Sequence, residues 1–130
     1  MAIAVIVVLA TITAIALSMS AETTKRSTDL YLYEQSALYA KSAVELTLLD
    51  IAGAEPCSIT EKNFTIDTIY EVNVTLKYIY TAPSPCTESE DTYFTVVTPE
   101  QNGSVLMDVT VSTTVGTEPI HYFRRSLQKL

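Results

Sequence analysis

The chain has 130 residues, a formal net charge of −7, 48% hydrophobic residues and no Trp. A globular part of about 75 residues is too small for a multidomain enzyme, and small enough that a single core gains from a covalent staple. An acidic chain without a basic stripe also argues against nucleic acid as a partner, because phosphate binding needs clustered Lys and Arg to displace counterions.

Residues 1–21 carry no charge, and the only polar side chains among them are Thr11, Thr13, Ser18 and Ser20, whose hydroxyls can bond back to helix carbonyls. As a helix this stretch would be roughly 31 Å long, matching a hydrocarbon thickness of about 30 Å. A secretory signal peptide fits less well, since there is neither a basic leading region nor an Ala-x-Ala cleavage pattern. A start without basic residues is what removal of a basic leader would leave at Met1. The segment 1–27 is therefore expected to be a hydrophobic helix that serves as a membrane span or a filament core, with Met1, Val5, Val8, Ile12 and Ile15 on its assembly surface.

From Glu22 the composition becomes polar without any helix breaker, since the first Gly is Gly53 and the first Pro is Pro56. Leu30, Tyr33, Ala37, Ala40, Val44, Leu48 and Ile51 recur at spacings of three and four, the period of one helix face. Glu22 with Arg26, Lys25 with Asp29, and Lys41 with Glu45 make opposite-charge i,i+4 pairs, each worth about 0.2–0.5 kcal/mol on a solvated face. The expectation is one continuous helix, amphipathic over 28–55, capped by a left-handed Gly53 and stopped by Pro56. Such a helix would be about 78 Å long, more than a small domain can cover. Tyr31, Tyr33 and Tyr39 read as packing residues with an apolar ring and a polar tip rather than as an electron path.

Beyond Pro56 the period falls to two. Val72, Val74, Leu76, Tyr78 and Tyr80 alternate with Glu71, Asn73, Thr75, Lys77 and Ile79, and Val105, Met107, Val109, Val111 and Val115 with Asp108, Thr110, Ser112 and Thr114. Phe64–Tyr70, Tyr93–Thr98 and Ile120–Arg125 are weaker strand candidates, and Pro- or Gly-bearing turns separate these runs. The segment 56–130 thus reads as an antiparallel meander of four or five strands whose apolar face needs a cover. Only the second half of the long helix can supply it, giving an α+β fold with helix laid on sheet. In an exported domain the spacing of Cys57 and Cys86 suggests one disulfide, closing a loop of about 30 residues and contributing roughly 3 kcal/mol.

Little in the chain points to catalysis, a cofactor or a metal. His121, the single His, lies in a strand candidate without a nucleophile motif, there is no glycine-rich phosphate loop, and two Cys with one His do not make a zinc set. The acidic run Glu88, Glu90 and Asp91 lacks the spacing and the glycine of a calcium loop. The specific signal is Asn-x-Ser/Thr, at Asn63, Asn73 and Asn102, each with Glu two residues before it (Glu61, Glu71 and Glu100). With 15 acidic residues in 130, that coincidence has a random expectation of about 0.002. The pattern resembles the extended acidic sequon of bacterial N-oligosaccharyltransferases, which act outside the cytoplasmic membrane.

An uncharged apolar N-terminal helix running into an amphipathic one, followed by a disulfide-bearing sheet, resembles a mature type IV pilin or pseudopilin. The resemblance lies in the layout and, as sequence, in residues 1–52. It implies removal of a leader by a prepilin peptidase, a transient inner-membrane span, and handling by the pilus assembly machinery. It further implies self-association into an extracellular helical polymer used for adhesion, motility or surface contact. Family members usually carry Glu where this chain has Val5, so a neighbour's terminal amine would lack that carboxylate. Thr11 or Thr13 could accept its hydrogen bond instead. A minor or tip pseudopilin of a secretion system, and a single-pass membrane-anchored adhesion or ligand-binding domain, are the alternatives. The latter would be expected to carry Lys or Arg before the span.

Overall fold

The computed structural model describes residues 1–80, 86, 93–95, 100, 103–115 and 119–130. The described residues form one helix, α1 (Ala2–Gly53), and five strands, β1 (Glu61–Ile66), β2 (Tyr70–Tyr80), β3 (Tyr93–Thr95), β4 (Ser104–Thr113) and β5 (His121–Lys129). The chain divides into two units, Met1–Leu32 and Tyr33–Leu130.

The first unit is helical because nothing in it opposes a helix: it contains neither Gly nor Pro, and its hydroxyls do not compete with the backbone. Thr11 Oγ1 donates to the Val8 carbonyl at 2.8 Å, and Thr13 Oγ1 to the carbonyls of Leu9 and Ala10 at 3.0 and 2.9 Å. Such back-bonding satisfies polar atoms inside an apolar environment. Of the three i,i+4 ion pairs expected, Glu22–Arg26 closes at 2.6 Å. Lys25–Asp29 and Lys41–Glu45 do not close among the described residues.

The second unit is an α+β domain. Four antiparallel strands lie in the order β1-β2-β4-β5. Alternation on β2 and β4 sends Val72, Val74, Leu76 and Tyr78, and Val105, Met107, Val109 and Val111, to one buried face. The register sets Val72 against Val111, Val74 against Val109, and Leu76 against Met107, so β-branched and long side chains meet in cross-strand pairs. The second half of α1 covers this face.

The covering face of α1 coincides with the one that hydropathy suggests at Ala40 and Val44 and otherwise takes smaller side chains. Ser36, Ala40, Ala43, Val44 and Thr47 are buried, whereas Tyr33 is exposed and Ala37, Leu48 and Ile51 are half-buried. Leu30, in the first unit, is also exposed. Small side chains let the helix backbone approach a sheet already filled with Val, Met and Tyr, and the Thr47 hydroxyl donates to the Ala43 carbonyl at 2.7 Å, so its burial leaves no orphan. Ala40→Leu should overfill this seam and cost about 1–3 kcal/mol in denaturant unfolding, whereas Leu38→Ala on the opposite face should leave stability nearly unchanged.

Four further expectations are corrected. Gly53 is not a left-handed cap: α1 includes it and ends through a tighter bond from Ala54 N–H to the Ile51 carbonyl at 3.2 Å. The left-handed residue is Cys57 (φ 63°), in a turn where Ser58 N–H and Oγ both donate to the Glu55 carbonyl. Phe64–Tyr70 is not one strand, because Asp67 (φ 52°) and Thr68 (φ 58°) form a mirror-image turn closed by Ile69 N–H on the Ile66 carbonyl. Two successive left-handed residues match the twist of a hairpin, so β1 begins earlier and Tyr70 opens β2.

Val115 lies past β4 and is exposed. The inward position is taken by Thr113, whose hydroxyl accepts Ile120 N–H at 3.1 Å and bridges to β5. Finally, the strands are not a simple meander: β3 pairs parallel with Tyr78–Tyr80 of β2, the stretch left open because β1 pairs only as far as Thr75. Residues 96–98 of the third strand candidate lie outside the described residues. Strand β5 runs on to Lys129, longer than expected, and residue 130 returns to the sheet through Leu130 N–H on the carbonyl of Gly103, whose φ of 71° suits a residue without Cβ.

Candidate functional site

Chemistry-bearing groups are sparse. Among the described residues no three His, Cys, Asp or Glu side chains come together as metal ligands. His121 is exposed at the start of β5. Glu88, Glu90 and Asp91 lie outside the described residues. Tyr33 packs edge-on to Tyr122 with ring centroids 5.4 Å apart, and Tyr39 lies 4.7 Å from Tyr70 while donating to Asp67 Oδ2 at 3.1 Å. These tyrosines pin the helix to the sheet and to the β1–β2 turn. Tyr31 is exposed.

Among the described residues three surfaces stand out. The first is the apolar segment of α1, an 18-residue window of which is long and apolar enough to cross a membrane and contains no buried residue. Val5, Val8, Ile12 and Ile15 are all exposed on it, and Met1 lies just before the helix, fully exposed. Beyond the polar stretch 22–29, exposed apolar side chains recur on the part of α1 that covers the sheet. Leu38, Leu46 and Leu49 are 52%, 50% and 70% exposed. A sequence reading limited to one helix face misses them, because their spacing of eight and three residues lies outside the stripe that period analysis selected.

The second surface is a groove of about 400 Å³ where α1 ends, lined by Leu48, Ile51, Pro56, Tyr78, Tyr80 and Leu130 among others. Tyr78 OH donates to the Ile59 carbonyl at 2.6 Å. Burial, and then the neighbouring Tyr80, raise its pKa above the ordinary tyrosine value, with the Ile59 bond opposing them. Burial alone raises that of Tyr80. Beside this groove Cys57 and Cys86 are joined in a disulfide with Cα atoms 5.5 Å apart.

The third is the outer face of the sheet, where the strand period sends Glu61, Asn63, Thr65, Glu71, Asn73, Thr75, Thr110 and Ser112. Asn63 and Asn73 stand directly opposite one another across β1 and β2. Spacing within the sequence could not bring these two sequons together, whereas strand register does. Asn102 lies outside the described residues.

Farther along this face Arg125 clamps Asp108 across β5 and β4, with Nε on Oδ1 and Nη2 on Oδ2, both at 2.6 Å. The guanidinium hydrogen bond is the main reason that the Asp108 carboxyl titrates below the ordinary aspartate value, burial opposing it and the charges of Arg125 and Lys77 adding to it. A depressed folded-state pKa adds stability above the unfolded value of about 3.9 and loses it as pH falls toward the folded value. Asp108→Asn should therefore flatten the acid limb of an unfolding-versus-pH curve below about pH 4, while leaving its shape near neutrality unchanged.

No family model matches the chain, and neither the curated proteins nor the solved structures provide a match.

Proposed function

We propose that this protein is the structural subunit of an extracellular type IV pilus-like filament, assembled through the apolar half of α1 and carrying a glycosylated outer domain. Its role is structural rather than catalytic. Before assembly the apolar segment would reside in the inner membrane as a span, from which the assembly machinery would extract it into a helical homopolymer used for adhesion, motility or surface contact.

The observation that carries this reading is the run of exposed leucines beyond the span. A membrane anchor needs about 20 predominantly apolar residues, and residues 2–21 of α1 supply such a stretch before Glu22. Leu38, Leu46 and Leu49 lie well past that point, on a helix that already covers its own sheet, and still face away from it. Exposed apolar surface on a helix marks an interaction site, and helices stacked beside one another would cover both the span and, beyond the polar stretch 22–29, these leucines.

The groove at the end of α1 favours a second reading, in which an anchored single domain holds an apolar ligand between Leu48, Tyr78 and Leu130. A minor or tip pseudopilin would share the filament geometry at lower copy number. Negative-stain microscopy of material sheared from the cell surface, with mass spectrometry of its main band, separates these. Filaments built mainly of this chain are expected. Recovery of the chain only from membranes, as a monomer, would overturn the filament reading.

A further inference from the structure

The two sequons of the β1–β2 hairpin form one unit. Register pairs Asn63 with Asn73, and side chains of such a pair have Cβ atoms about 5 Å apart. Asn73 Nδ2 donates to Asn63 Oδ1 at 2.7 Å and to Glu61 Oε1. Asn63 Nδ2 donates only to that same Glu61 oxygen, at 3.3 Å. A primary amide has two N–H groups. Both of those on Asn73 are therefore engaged, while Asn63 keeps one free.

Position reinforces the difference. Asn63 is exposed on strand β1, whereas Asn73 is half-buried on β2, between β1 and β4. Thr65 lies two residues on, so an extended strand sets its hydroxyl on the same face as the Asn63 amide. The pair itself lines a shallow concavity of about 410 Å³ together with Phe64, Thr65, Glu71, Val72, Thr110 and Ser112, a mixed surface of hydroxyls, one carboxylate and two apolar residues that suits the polar rim and apolar face of a sugar.

We propose that the hairpin is a single N-glycan acceptor: Asn63 takes the sugar, and Asn73, held by Glu61 and Asn63, stays unmodified. This rests on the reading of the domain as exported and glycosylated. In the transfer, Asn63 Nδ2 forms a bond to the anomeric carbon of a sugar carried as a lipid-linked pyrophosphate. The bond from that carbon to the phosphate oxygen breaks, the lipid pyrophosphate leaves with the electron pair, and the amide proton passes to a base of the transferase. The glycosylated Asn63 keeps its second N–H for Glu61 and its Oδ1 for Asn73, so the network survives. A sugar on Asn73 would remove one of its two bonds, and a second sugar opposite the first would collide with it at cross-strand spacing.

Sequence makes the test direct. No Lys or Arg falls between Lys62 and Lys77, so trypsin releases both asparagines on one peptide, 63–77, and leaves Asn102 on another. In full-length protein purified from its own cells, the 63–77 peptide should carry one glycan, localised to Asn63 by fragmentation. A doubly modified peptide, or sugar on Asn73, would overturn the proposal. A bare 63–77 peptide with sugar on Asn102 would overturn it while leaving the glycosylated-domain reading in place, whereas three bare asparagines would remove both. Thr65→Ala destroys the Asn63 sequon without touching the amide pair. Its 63–77 peptide should be bare, and transfer of the glycan to Asn73 in that variant would refute the protection argument.

Discussion

Val8→Asp or Ile12→Asp should abolish the proposed polymer while leaving the sheet domain folded. Both side chains are exposed on the segment of α1 that is apolar enough to span a membrane, and in a filament they would lie against neighbouring helices or, before assembly, against lipid. A carboxylate at such a depth costs about 2.5–3.5 kcal/mol by insertion scales, and every subunit would bear that cost on every contact. The residues that stabilise the second unit are elsewhere, in the seam between α1 and the inner faces of β2 and β4. A chain beginning at Thr28 should accordingly be a soluble, folded monomer by circular dichroism and ultracentrifugation. Filaments of normal length from either Asp variant, seen by microscopy, would place assembly on another surface.

Breaking the disulfide should be the most damaging single change to the second unit. Cys86→Ser is expected to lower denaturant stability by about 2–5 kcal/mol, chiefly by releasing the unfolded chain from a closed loop. The bond spans 29 residues and ties the turn leaving α1 to the segment after β2. Cys57 also holds a left-handed backbone there, a conformation that costs a non-glycine residue on the order of 1–2 kcal/mol. Non-reducing peptide maps should show Cys57 joined to Cys86, and unfolding curves of the reduced wild type should resemble those of the Ser variant. An unchanged midpoint would mean that the sheet and helix hold the turn without it.

How far the sequence reaches can be judged residue by residue. The extent of α1 was legible because helix interiors exclude Gly and Pro, and none occurs before Gly53. The inner faces of β2 and β4 were legible because alternation is a local, period-two property that needs no partner to be read. The apolar segment announced itself by composition alone, and the disulfide by the pairing demand of two cysteines in a small domain.

Tertiary structure decided what depends on neighbours. Hydropathy nominated Ala40 and Val44, which are buried, but also Tyr33, Leu48 and Ile51; the sheet presents a full layer of Val, Met and Tyr, and close approach selects small residues, so Ser36, Ala43 and Thr47 join the first two inside and Leu38, Leu46 and Leu49 are left outside. The turn at Asp67 and Thr68 escaped the pattern because neither is Gly, and only the twist of the paired strands demands their left-handed backbone. Strand β3 runs parallel beside β2 because β1 leaves that stretch of edge unpaired, a fact of register. The same register brings Asn63 and Asn73, ten residues apart in the chain, into one hydrogen-bonded pair. Spacing along the sequence carries no information about a partner strand, and the hairpin's pairing supplies it.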